Sequence, residues 1–75
     1  MSARQFLQQL NQVKDKVRSG EAPPEIGEGL QALLGRFKDV YSQEEFKAAL
    51  EADAEIDSGL EEGMTTLYMT WRQTL

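Results

Sequence analysis

Residues 50–60 read Leu50-Glu51-Ala52-Asp53-Ala54-Glu55-Ile56-Asp57-Ser58-Gly59-Leu60, and whether they continue a helix or interrupt one decides the fold. On either side, Phe46, Leu50, Leu60, Met64, Leu67 and Trp71 follow one alternating four-and-three series, provided Asp53 and Asp57 fill its two missing places. A continuous helix over residues 43–74 would set both carboxylates in the apolar seam. Unpaired burial there is costly or forces protonation. A turn at Asp57-Ser58-Gly59 avoids that penalty, because Ser58 and Glu61 have the spacing of a capping box and Gly59 relieves the backbone. The stretch therefore predicts a break, with helices over about 43–56 and 59–74.

Working outward, the same capping signature recurs at Ser42 with Glu45 and at Ser2 with Gln5. A serine oxygen accepts an orphan N–H of the first turn while the Gln or Glu reaches back to the serine N–H. Pro23-Pro24 marks the other start, since proline has no N–H to lose in a first helical turn. The first helix is predicted over about 3–19, ending at Gly20, with Phe6, Leu10, Val13 and Val17 on one face. The second is predicted over about 24–40, with Ile26, Leu30, Leu33 and Phe37 at matching steps. Leu34 and Tyr41 broaden its stripe on one flank and Val40 on the other. The short connection between them predicts an antiparallel hairpin.

Residues 65–71 are the one segment with strand character, Leu67, Met69 and Trp71 alternating with Thr66, Tyr68 and Thr70. No other segment could pair with such a strand within this chain, and a strand here would need a second molecule. On a helix, Leu60, Met64, Leu67 and Trp71 form a coherent stripe, so helix is the reading. The expectation is one all-α domain over 1–75, a small bundle of three to four helices.

Thirteen acids against eight bases give a formal charge of −5, unevenly distributed. Residues 1–20 carry Arg4, Lys14, Lys16 and Arg18 against Asp15. Residues 42–75 carry eight acids against Lys47 and Arg72. An acidic block of this kind repels phosphate, so direct nucleic-acid binding is not expected. No apolar run suits a signal peptide or a membrane span, and the expectation is a cytoplasmic protein with no membrane partner.

The chain has no cysteine and no histidine, which removes thiol nucleophiles, imidazole-activated serines and zinc sites of the Cys/His type. Glu51/Glu55 and Asp53/Asp57 are i,i+4 pairs that could in principle hold a divalent cation. Read as a calcium loop from Asp53, however, the sixth position is Ser58 and the twelfth Met64, where glycine and glutamate are required. Gly27 and Gly29 open a helix as phosphate cradles do, but Glu25 and Glu28 flank them and no lysine follows. No metal, no cofactor and no catalytic residue is expected, and the chain is not expected to be an enzyme.

What is left is binding. The expected function is that of a small acidic protein-binding module, an adaptor or inhibitor that occupies the basic surface of another protein. Its candidate contact residues are Glu51, Asp53, Glu55, Asp57, Glu61 and Glu62 for charge, with Tyr68, Met69 and Trp71 as apolar anchors. The alternative is a structural homodimer that completes its core across the interface. Ala32, Gly35, Gly59 and Gly63 are the small residues that would let another helix approach closely.

Overall fold

The computed structural model describes residues 1–73. It holds four helices: α1 over Ala3–Arg18, α2 over Pro24–Val40, α3 over Gln43–Ala52 and α4 over Ser58–Gln73. The expected end of the last helix at residue 74 lies outside the described residues. The segment with strand character, 65–71, is helical throughout.

Several helix ends have an identifiable cause. Ser2 Oγ accepts the Gln5 N–H at 3.2 Å, and Ser42 and Glu45 exchange both bonds of a capping box at 3.1 and 3.2 Å. α1 closes in a Schellman turn. The Glu21 N–H reaches the Lys16 carbonyl at 3.1 Å and the Gly20 N–H reaches Val17 at 3.2 Å, with Gly20 at φ +80°. Only glycine takes that conformation without a Cβ penalty.

Two expectations about the break are corrected. α3 ends at Ala52 rather than near 56, because Asp53 turns left-handed (φ 48°, ψ 45°). The Asp53 and Ala54 N–H groups then fold back onto the carbonyls of Leu50 and Ala49 at 3.2 and 2.9 Å. The cap of α4 is Asp57, not Ser58. Its Oδ1 accepts the Gly59 N–H at 3.0 Å, and its carbonyl accepts the Glu61 N–H at 2.9 Å. Both aspartates are exposed, as the cost of burying them requires.

The core follows the stripes. Phe6, Leu10 and Val13 of α1, Ile26, Leu30 and Leu33 of α2, and Leu60, Met64, Leu67 and Trp71 of α4 are all buried in one cluster. At about 1.5–3 kcal/mol for each large side chain fully buried, these residues supply most of the driving force. Ile56 joins them from the connection between α3 and α4, only 4% exposed, although it lies outside the helical series. α3 contributes no fully buried residue.

α4 packs along α2 and α1, and α3 packs on α1 and, through Phe46 against Phe37, on α2. No helix among the described residues is long and apolar enough to cross a membrane.

Two glycine substitutions of identical chemistry should have opposite signs. Gly20→Ala should destabilise by about 1 kcal/mol through its left-handed backbone. Gly35 has open space where a Cβ would be, inside α2. Gly35→Ala should therefore stabilise by up to about 1 kcal/mol through helix propensity. Urea unfolding followed by the fluorescence of the single tryptophan, which is buried, measures both.

Candidate functional site: an apolar groove ringed by lysines

The acidic segment was the first candidate surface, and its carboxylates have other partners. The N-terminal residues lie antiparallel to the 54–56 connection. The Ala3 N–H donates to the Ala54 carbonyl at 2.8 Å and the Ile56 N–H to the Met1 carbonyl at 3.0 Å. The Met1 ammonium sits between Glu55 and Glu61 at 2.8 and 2.9 Å. Asp53 Oδ1 faces the Arg4 N–H at 3.4 Å, in the first turn of α1, while Arg4 Nε points at the Leu50 carbonyl at 3.4 Å. Asp57 caps α4, and its N–H donates to Tyr41 Oη at 3.2 Å. Four of the six singled-out acids thus hold the corner together. Glu51 and Glu62 are exposed and in no ion pair among the described residues. No group of three or more carboxylates is arranged to hold a metal ion among the described residues.

The aromatic and sulfur anchors do not share a surface. Trp71 is in the core at 4% exposure, on the inward stripe of α4, with the Arg72 guanidinium 5.8 Å from its ring centroid. Tyr68 is half-buried, edge-on to Trp71, and donates its hydroxyl to Gln12 Oε1 at 3.1 Å on α1. Met69 alone points outward, 54% exposed. Among the small residues, Ala32, Gly59 and Gly63 line one shallow groove between α2 and α4. A Cβ on Gly63 would lie 3.0 Å from Leu33 Cδ1 and 2.9 Å from Arg36 Nη2, so the approach it permits is to α2 of the same chain. Gly35 is exposed on α2 and lines none of this groove.

A roomy, largely apolar concavity lies elsewhere. α3 has ten residues, about 15 Å of helix, against about 24–26 Å for α1 and α2. It therefore covers only part of the hairpin face on which it lies, and a groove of about 610 Å³ opens between α1, α2 and α3. Leu10, Leu34 and Leu50 line it, together with the rings of Phe37, Tyr41 and Phe46. The rings pack on one another: Phe37 and Phe46 meet edge-on at 4.8 Å, and Tyr41 lies 5.5 and 5.9 Å from them. Phe6 stacks beneath Phe37 at 5.8 Å and ties the group to the core.

Each wall contributes one lysine: Lys14 from α1, Lys38 from α2 and Lys47 from α3. None of the three is in an ion pair among the described residues, whereas Lys16 is held by Glu21 at 2.7 Å. No acid lines the groove. Comparison with known protein families, curated proteins and solved structures found no match. The site is therefore argued from its chemistry alone: a set of half-buried aromatic and aliphatic side chains, open along its length, with unpaired cations at its edge. Such a surface offers apolar contact area beside positive charge.

Sequence reasoning missed this groove because it arises from the lengths of three helices and not from a motif. One signal was present. Leu34 and Tyr41 widen the apolar stripe of α2 beyond what a single packing neighbour needs.

The N-terminal ammonium gives a pH prediction. Hydrogen bonds that it donates to Glu55, and next to Glu61, raise its pKa above the ordinary value near 8.0. A raised amine contributes stability that is fully present below its unfolded pKa and is lost as pH rises through the folded one. For the chain with a free Met1 amine, stability should fall as the pH is taken above about 8, and fall less in the Glu55→Gln/Glu61→Gln double variant. Urea midpoints of the two chains measured side by side test this. Parallel profiles would remove the amine from the account of the corner.

Proposed function

We propose that this chain works by binding another protein, as an adaptor or an inhibitor, and that the α1–α2–α3 groove is the contact surface. The observation that carries the reading is the combination in one open concavity of Phe37, Tyr41 and Phe46, all half-buried, with three unpaired lysines. Aromatic side chains that keep part of their area accessible in a preformed hollow are the kind of residue that dominates binding energy. The absence of imidazole and thiol from the sequence weighs on the same side, against chemistry.

This moves the expected surface. The side-chain oxygens of Asp53, Glu55, Asp57 and Glu61 are engaged at the corner although Asp53, Glu55 and Asp57 stay exposed, and Glu51 and Glu62 are the two that make none of these contacts. Those two remain suited to steering, since exposed charges act more on association rate than on residence time. The groove supplies the apolar area that residence time depends on.

Site-specific photocrosslinking in an extract of the source organism tests the assignment. Gln43 at the groove edge and Met69 on the far face of α4 are replaced, one at a time, by p-benzoylphenylalanine. The groove probe should give a discrete adduct with one protein, lost when Leu34→Asp is added, and the Met69 probe should not. Adducts from Met69 alone would return the function to the α4 face, and none from either position would remove the protein-binding reading.

A further inference from the structure

The lysines around the groove carry information about what enters it. In a chain of net charge −5 with eight bases, three bases meet at one apolar hollow with no acid among its lining residues. Each comes from a different wall, so all three helices contribute positive charge to the groove. An isolated cation beside apolar surface gains little from its own chain, and here none of the three has an internal partner. Resting on the protein-binding reading, we infer that the groove receives an amphipathic helix of a partner protein whose apolar stripe is flanked by Asp and Glu.

Three observations favour that occupant. The groove is an open channel bounded by helices, the shape into which a helix lays anchors at i, i+3, i+4 and i+7 spacing. A fatty acid brings a single anion to three unpaired lysines, whereas an acidic helix brings several. A second copy of this chain is the wrong partner for this face, because an isologous pairing of two grooves would set Lys14, Lys38 and Lys47 of both copies against each other. Large apolar side chains outside the groove give no such stripe either, since among the described residues only Val40 and Met69 are strongly exposed, on different helices. The overall negative charge does not oppose the inference. At physiological ionic strength charges beyond about 8 Å are largely screened, and the edge of the groove dominates what a docked helix meets.

The experiment uses the full chain and three synthetic helical peptides that share one Leu/Phe stripe at i, i+3, i+4 and i+7 spacing, flanked by Glu, Gln or Lys. Fluorescence anisotropy should give the order Glu, then Gln, then Lys from tightest to weakest, with the Glu peptide weakening as salt is raised. In the Lys14→Glu/Lys38→Glu/Lys47→Glu variant the Glu peptide should lose about tenfold or more and the order should invert. The corresponding triple Lys→Gln variant should level the three peptides without inverting them. All three positions are at least partly solvent-accessible, and helical circular dichroism with unchanged Trp71 emission confirms that each variant is folded.

A Gln peptide as tight as the Glu peptide, or an order unchanged in the charge-reversed chain, overturns the inference. So does the failure of all three peptides to bind. The broader reading stands or falls separately, on the photocrosslinking result. Concentration-dependent dimerisation abolished by Leu34→Asp would give the groove to a second copy and overturn the acidic-helix assignment.

Discussion

The fold turns on the contact between the first three residues and the connection at 54–56, because that contact decides where α3 stops and how α4 is aimed. Two backbone hydrogen bonds, Ala3 to Ala54 and Ile56 to Met1, fix the connection against the start of α1. With the chain held there, Ile56 enters the core, Asp57 is placed to cap α4, and α4 sets out beside α1 along the hairpin. The charged contacts around this junction are exposed and individually weak. Their effect is selective: a carboxylate beside the first turn of α1 and an arginine reaching the last carbonyls of α3 each favour this geometry over a continuous helix.

The charge distribution follows from that arrangement. Read along the chain, the acids of the second half look like a surface for a partner. Read in space, four of them serve the corner, and the more distinctive electrostatic feature is positive. Lys14, Lys38 and Lys47 are separated in sequence and brought together only by packing, at a hollow lined by half-buried aromatic rings. A chain can thus be acidic in total and cationic around a local apolar hollow.

The helices were legible because their signals are local. Capping serines at Ser2 and Ser42, the stripe of α1 and the stripe from Leu60 to Trp71 each act within a few residues, and the structure follows them. The break was legible for a physical reason, the penalty on burying Asp53 and Asp57, but its details were not. Asp53 takes a left-handed conformation more often found in glycine, and what it gains is visible only once α1 lies beside it. Ile56 escaped because an apolar residue in a connection belongs to no period. The groove escaped for the same class of reason: it is a mismatch between helix lengths, which no window of sequence contains.

The short α3 has one more consequence. Its contacts come from half-buried Phe46, Ala49 and Leu50, with nothing sealed from solvent, while α1, α2 and α4 lock through eleven buried side chains joined by Ile56. Opening α3 alone exposes far less apolar area than unfolding the bundle, so its amides should exchange with solvent through a separate and cheaper fluctuation. Two walls of the groove thus belong to the sealed core and the third, α3, does not, so the width of the cleft should follow the fluctuation that opens α3.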